Sequence, residues 1–482
     1  MTSTRRVAVI GGGITGVVAA HRLVQLSDDV AAVAGAPDHG SVVDEVVLFE
    51  RSHRLGGRLA GTPFAGLDHV DSGADAFLAR VPDARDLAVV VGLGDSLVHP
   101  EPVGAAIWHD TLHDIPAGLV LGVPSNPLAL ARSGLLSPRG MARAAIEPLL
   151  PRTSLDADSI GDYVRARFGD EVHERLVDAL VGSIYATDTD RFSLAEIPQL
   201  AALTGDRSLL VAARRIARKN AGTASAAAAP IFATPRRGMA QLAAATADAF
   251  ARLGGTVRTG ATPMVRRDPG RGAAGASGRW RVDDELFDAI VLAVPAAAAT
   301  PIIEPTDSDL ARRLASAETA DVVMVTLHIG SDEFPDRLRG RSGYLVPKPV
   351  QRDVTAVSFG SQKWAHWAPP DGGEIVRVSL GRDGAPVMHL SDDEIIERVM
   401  ADLTRHLDVA WTPIDTRITR WEGAFAQYRP HHRRWVDDMR SQLPAGIHLA
   451  GSSYDGIGVP ACVRSGKTIA ERAVETLADL AS

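Results

Sequence analysis

The 482-residue sequence predicts an α/β fold: a Rossmann-like dinucleotide-binding domain built from three chain segments, with a mixed β-rich substrate domain and a helical insertion. Three observations carry that expectation. Residues Val7–Gly16 read VAVIGGGITG, an apolar run that breaks into Gly11-x-Gly13-x-x-Gly16 and then opens a helical pattern. A second apolar run, Val46–Phe49, ends in Glu50 and is followed by Gly56-Gly57-Arg58. Helix and strand patterns of the same kind return at 229–300 and again near the C-terminus.

The first element has the order that a pyrophosphate site needs. A buried parallel strand ends, glycines let the backbone turn tightly and approach the phosphates, and a helix N-terminus presents free N–H groups and its positive dipole end. Gly11, Gly12, Gly13, Ile14, Thr15 and Gly16 are therefore candidate cofactor ligands, and Val17, Val18, Ala20, Leu23 and Val24 continue the helix. Glu50 is placed to accept hydrogen bonds from a ribose and would repel a 2′-phosphate. It comes later than the usual spacing of about 20 residues, which an inserted loop from Ser27 to Ser41 explains. Beyond Arg51, Gly56 and Gly57 let N–H groups approach a phosphate, and Arg58 offers a fork of charge-assisted donors. NAD-binding folds have no general need for this second element. It resembles that of two-dinucleotide-binding flavoproteins of the amine-oxidase type, which implies FAD.

Changes of pattern divide the chain into a first nucleotide-binding piece at 1–100, a helical insertion at 101–228, a second piece at 229–300, a substrate domain at 301–414 and a third piece at 415–482. Helical spacing marks Ser159–Phe168 and Val172–Leu180, and the low-complexity run Ala221–Ala229 reads as a surface loop. In the second piece a helix over Met239–Phe250 stops at Gly254-Gly255, and Phe287–Pro295 has the continuous apolar character of a buried strand. Val322–Ile329, Val354–Phe359 and Ile375–Leu380 read as strands of the substrate domain, with a helix over Asp392–Leu407. The third piece contributes a strand within Gly446–Gly451 and a helix from Pro460.

Composition narrows the class. Hydrophobic content of 45% and charged content of 23% are those of an ordinary globular chain. A net charge of −8 gives no support for nucleic acid as a partner. One cysteine, Cys462, excludes an intramolecular disulfide and fits a reducing cytoplasm. No signal-like stretch precedes the first strand and no apolar run approaches a membrane span. No Cys/His metal-ligand spacing occurs. The expected location is cytoplasmic, with a peripheral place at the membrane left open.

Taken together, the motifs resemble the flavin-dependent porphyrinogen oxidases of haem synthesis, the protoporphyrinogen and coproporphyrinogen III oxidases. The likeness runs from VAVIGGGITG through Gly73-Ala-Asp-Ala-Phe77, Leu112-His-x-Ile-Pro and Gly182-Ser-Ile-Tyr-Ala-Thr-Asp188. It continues in Lys363-Trp-Ala-His366, Thr419-Arg-Trp421, Gln427-Tyr428 and LAGSSYDGIGVPACVRSG from Leu449. The resemblance implies that Gly73, Ala74, Asp75 and Ala76 meet the flavin, that Trp421 packs beside it, and that Gly456, Gly458, Val459 and Pro460 bring backbone and a helix dipole to the ring. Two positions depart from the family. Pro263 stands where relatives have a valine whose N–H and C=O hold adenine, and proline has no N–H. Ala74 replaces a proline.

The implied reaction is a six-electron aromatisation of a porphyrinogen, in three rounds of hydride transfer to flavin N5, with O₂ reoxidising the flavin to release H₂O₂. The cofactor carries that chemistry, so no catalytic side chain is expected. Arg80 and then Lys363 are the candidates for substrate carboxylates, and the Arg429–Arg434 cluster with His431 and His432 is a further one. His366 has no partner that the sequence can name, Ser465 reads as helix surface, and Cys462 reads as a buried thiol or, alternatively, a flavin tether. Coproporphyrinogen III is the expected substrate and protoporphyrinogen IX the alternative, with product passed to ferrochelatase. An amine oxidase or carotenoid desaturase on this scaffold, or a porphyrin carrier without turnover, also remains open.

Overall fold

Strands from all three expected nucleotide-binding pieces lie side by side in one sheet of the computed structural model, which describes residues 5–34, 43–153, 158–222, 230–268 and 279–479. They are β1 (Arg6–Ile10), β2 (Glu45–Glu50), β3 (Thr256–Thr259), β4 (Ala289–Leu292) and β5 (Ile447–Leu449). Their order is β3-β2-β1-β4-β5 and every pairing is parallel. Val7, Ala8 and Val9 are fully buried, because helices or strands cover both faces, which is why β1 and β4 read as continuous apolar runs. On one face α1 (Ile14–Ala34) and α2 (Val459–Asp479) pack through Val17, Ala20, Leu23, Ile469 and Ala473. On the other lie an antiparallel three-stranded sheet spanning 265–287 and the helices Ala296–Ile303 and Ser308–Ala315. The chain order reverses between β2 and β4 on either side of β1, so the crevice beyond the carboxyl end of β1 is the topological switch point where such sheets take ligands.

The expected loop from Ser27 is a correction. Helix α1 continues to Ala34, and the Ser27 hydroxyl donates to the carbonyl of Val43 at 2.5 Å. The residues between 35 and 42 lie outside the described part, as does most of the low-complexity run from residue 223.

A seven-stranded mixed sheet forms the second body. Its order is Asp415–Ala426, Thr319–Ile329, Glu374–Leu380, Val354–Phe359, Arg341–Leu345, Gly104–Trp108 and Leu112–Asp114. This sheet crosses the boundaries expected at 101 and 415: its first strand comes from the third nucleotide-binding piece and its last two from the helical insertion. Backbone pairing recruited those strands, and chain-order reasoning has no access to such a choice. The helix Asp392–Leu407 runs as expected, closed by a capping box of Ser391 and Glu394, and covers one face through Ile395, Val399 and Leu403.

Helices between 127 and 222 form the insertion around Phe168, Leu176, Val177 and Phe192. The segment expected as an ordinary helix, Val172–Leu180, falls mostly in a wide π-helical stretch, His173–Gly182. Glu147 and Arg167, both almost wholly buried, pair at 2.6 Å inside it. The insertion is fastened to the sheet by a second buried pair, Arg382 with Asp178 at 2.7 Å.

Candidate functional site

The crevice beyond β1 is assembled from two glycine turns that touch. The N–H of Gly56 donates to the carbonyl of Gly12 at 2.8 Å, and a Cβ built on Gly57 would lie 3.2 Å from the Cα of Gly13. The glycines have different duties. Gly11 and Gly56 hold φ of +110° and +102°, conformations that side chains rarely adopt. A Cβ on Gly16 would overlap the carbonyl of Gly11, so this glycine lets helix α1 sit against the strand. A Cβ on Gly13 would meet nothing within 4 Å: the backbone here borders open space at the start of α1. Thr15 and Ile14 are buried at the same helix start.

Glu50 ends β2 as expected, and its carboxylate is already at work. Oε2 accepts from the N–H of Gly12 at 2.7 Å and Oε1 from the N–H of Ser52 at 2.8 Å. It thus holds the glycine turn in shape, while each oxygen keeps a lone pair for a ribose hydroxyl. Pro263 is buried just beyond β3, two residues after Ala261, whose N–H donates to the carbonyl of Glu50 at 2.9 Å. Arg51 is exposed.

Arg58 is half-buried and donates to the carbonyl of Gly423 at 2.7 Å and to Ser452 Oγ at 3.4 Å. Burial lowers its guanidinium below the ordinary value, and no carboxylate among the described residues pairs with it. A largely desolvated cation with only neutral partners, next to an open glycine cradle at a helix N-terminus, fits the dianionic pyrophosphate of FAD.

The Gly73–Ala76 loop and its approach are held from the seven-stranded sheet by Trp421 and by two arginines, Arg377 and Arg417, that sequence reasoning passed over. Arg417 donates to the carbonyl of Asp71 at 3.2 Å, Trp421 to that of Ser72 at 3.0 Å, and Arg377 to that of Gly73 at 2.5 Å. Burial, with the nearby Arg377, brings the Arg417 guanidinium down to about 10. Trp421 sits beside the loop, with its ring edge 3.2 Å from a Cβ built on Gly73. Asp75 accepts from Lys363 at 2.8 Å and Trp364 at 3.0 Å, with Arg377 at 3.6 Å. Burial pushes its carboxyl up, but these two cations and two hydrogen bonds outweigh that and hold it well below the carboxylate range. Ala74 is exposed and Ala76 packs against the apolar cluster that contains Trp364 and Trp367.

The C-terminal turn closes the site. Gly451 and Gly456 have φ of +114° and +120°. Ser465, expected on the helix surface, is buried instead: its Oγ accepts from the N–H of Gly451 at 2.8 Å and donates to Asp455 at 2.5 Å. Gly458 is exposed, Val459 begins α2, and Pro460 is buried in its first turn. Cys462 is buried, with Sγ 3.7 Å from the carbonyl of Gly456, and burial raises its thiol. That geometry fits the core reading of the cysteine and not the tether.

The residues expected to meet substrate carboxylates fare differently. Lys363 is committed to Asp75 and lies over the rings of Trp364 and Phe232. Arg429 is bound to Asp383 and Glu318, and His432 is buried between Tyr428 and Trp435, its imidazole lowered to about 4 by burial. Arg433 and Arg434 are exposed, as is Arg80, in the turn after the Phe77–Leu78 strand. His366 is half-buried, and burial lowers its imidazole. Arg377 and Arg417 escaped notice because nothing in their spacing distinguishes them; only the sheet that brings 377, 417 and 421 over residues 71–75 reveals them. Tyr428 and Ser465 stood in the motifs without a role, because the turn that each holds is distant in the chain.

Comparison with known proteins decides the class. The family model of flavin containing amine oxidoreductases matches residues 14–474. The chain belongs to that family. It is 33% identical over 495 residues to coproporphyrinogen III oxidase of Mycobacterium leprae, covering 99% of each chain. It is 27% identical to coproporphyrinogen III oxidase of Bacillus subtilis, covering 98% of each. Among solved structures, one from Exiguobacterium sp. 255-15, described provisionally as a protoporphyrinogen oxidase, superposes with a TM-score of 0.82 at 26% identity, over 98% of this chain and 100% of the other. This family member uses FAD. No helix among the described residues is long and apolar enough to cross a membrane.

Proposed function

We propose that this flavoenzyme oxidises coproporphyrinogen III to coproporphyrin III in haem biosynthesis. The observation that carries the reading is end-to-end similarity to relatives of that name, on a chain whose cradle for a dinucleotide is intact. FAD, when bound, supplies the two-electron acceptor for each of three oxidations, with O₂ taking the electrons on as H₂O₂. The chain's own part is to bind and orient. Gly11–Gly16, Gly57 and Arg58 would hold the pyrophosphate, Glu50 the ribose, and Pro263 the adenine through its carbonyl and ring. Arg51 borders that end from the solvent side. Gly73, Ala74, Asp75, Ala76 and Trp421 would bound the flavin on one side, and Gly456, Gly458, Val459 and Pro460 on another. Lys363 acts through Asp75, shaping the flavin loop. Arg80 remains the candidate for a propionate, in water at the rim, where an extra carboxylate costs little.

We further propose a cytoplasmic enzyme that meets the membrane surface and passes product to ferrochelatase. What supports the surface contact is that its insertion leaves Leu128, Leu149 and Val211 exposed, and Arg132, Arg207 and Arg218 as well. Co-sedimentation with anionic but not neutral vesicles is the expected result.

Kinetics of the purified holoenzyme on both porphyrinogens test the function. Coproporphyrinogen III should be preferred in kcat/KM by about tenfold or more, roughly 1.4 kcal/mol, with about three H₂O₂ per porphyrin following from six electrons taken in pairs. Equal or better use of protoporphyrinogen IX would transfer the assignment to that substrate. Flavin that stays oxidised on anaerobic mixing with either would leave a carrier.

A further inference from the structure

The C-terminal turn that would face the flavin is conformationally soft, with Gly451, Gly456 and Gly458 in eight residues, and it depends on outside groups for its shape. Most of those groups belong to the nucleotide-binding body. Ser465 and Arg440 hold Gly451 and Asp455, and the N–H of Ala296 donates to Ser453 Oγ at 3.1 Å. One does not. Tyr428, two residues past the edge strand of the seven-stranded sheet, is almost wholly buried. Its hydroxyl donates to the carbonyl of Ser452 at 2.6 Å and accepts from the N–H of Gly456 at 2.9 Å, bridging the two ends of the turn. Its backbone carbonyl accepts from the N–H of Ser193 in the helical insertion at 2.7 Å. Its ring stacks on Phe192 of that insertion at 5.6 Å and on His432 at 4.0 Å. Ile457, inside the turn, packs against the insertion's core as well.

We propose that Tyr428 is a positioning residue through which the helical insertion sets the shape of the flavin-facing turn. The inference rests on the flavoenzyme reading and names no role for the porphyrinogen, so it can fail without that substrate failing. The phenol is suited to the task. It is a rigid side chain locked between two rings, and burial raises its ionisation well above the ordinary value, so the hydroxyl remains a donor to Ser452. Removing the hydroxyl alone takes the side-chain partner from the carbonyl of Ser452 and the N–H of Gly456 in a half-buried turn, which must relax to satisfy them again.

Tyr428→Phe holoenzyme tests this, with FAD release followed by the rise in flavin fluorescence. Release should be about tenfold faster than in the parent, with a shifted flavin visible band and a lower kcat at little-changed KM. The far-UV spectrum and the proteolytic resistance of the insertion should stay as in the parent, which a merely structural role would not allow. A second pair of variants addresses the coupling. Phe192→Leu, which removes the stacking partner, should speed FAD release similarly, whereas Phe168→Leu, a cut in the same core with no ring contact to Tyr428, should not. Parent-like FAD release in Tyr428→Phe would overturn the proposal, as would equal release from the Phe192 and Phe168 variants. Failure on porphyrinogen with these FAD results intact would refute only the substrate.

Discussion

Replacing Gly13 with valine separates cofactor binding from folding. A Cβ there meets no atom within 4 Å, and Gly13 is not among the positive-φ glycines. The folded chain can therefore accept a side chain at this point without clash or backbone strain, and the expected change in stability of the FAD-free protein is within about 0.5 kcal/mol. The space that valine fills is the space a pyrophosphate must occupy to reach the first-turn N–H groups of α1, which have no intrahelical acceptors. Hydrogen bonds to charged groups contribute about 1.5–3 kcal/mol each. Losing two of them costs about 3–6 kcal/mol, or roughly 10²- to 10⁴-fold in affinity. The assay is bound FAD per chain after gel filtration, with a thermal melt of the same sample against FAD-free parent. A colourless variant that melts like FAD-free parent is the expected result. Gly16→Val is the control, since its side chain overlaps the Gly11 carbonyl and should disrupt the fold itself. Full flavin occupancy in Gly13→Val would refute the assignment, and so would a colourless variant that has lost its cooperative melt.

Arg58→Met should weaken FAD binding by about ten- to a hundredfold, the worth of a charge-assisted hydrogen bond. Because the guanidinium is desolvated beside neutral partners, the FAD-free variant should melt no lower than the parent; a loss of stability without loss of FAD would contradict the pyrophosphate role. Asp75 should make an acid-labile contribution. Its folded carboxyl is depressed, so its stabilisation is complete above the unfolded carboxyl's value of about 3.9 and declines as pH falls below it toward the folded value. Asp75→Asn should be less stable than the parent at pH 7 and should converge on it as pH falls below about 4, measured by denaturant titration at several pH values. A constant gap down to pH 2 would contradict the ion-pair account.

The strand–glycine–helix opening was legible because each of its parts has a local cause. Apolar residues buried on both faces make a continuous run, and a turn at φ of +110° calls for glycine. Glu50 was legible as a carboxylate at a strand end, but its two backbone donors, Gly12 and Ser52, were not, since both depend on how the turns meet. Lys363 and Arg429 illustrate the limit. A cation in a sequence carries no sign of its partner, and both proved to be neutralised inside the protein, one by Asp75 and the other by Asp383 and Glu318. Ser465 looked superficial for the same reason: the turn that buries it lies 14 residues earlier in the chain.

What the sequence determined by itself was the nucleotide-binding architecture and its cofactor class, because periodicity, glycine placement and a strand-end carboxylate act over a few residues and leave local marks. Three distant pieces with those marks contribute strands to one sheet. The tertiary structure alone decided how the second body is made, drawing strands from 104–114 and 415–426 into one sheet with 319–380. It also decided which charges are spent on one another and which, like Arg58, meet only neutral partners. Pairing between strands and ions hundreds of residues apart is set by the free energy of the whole packed state, in which burial makes each partner matter, and no single stretch of chain encodes it.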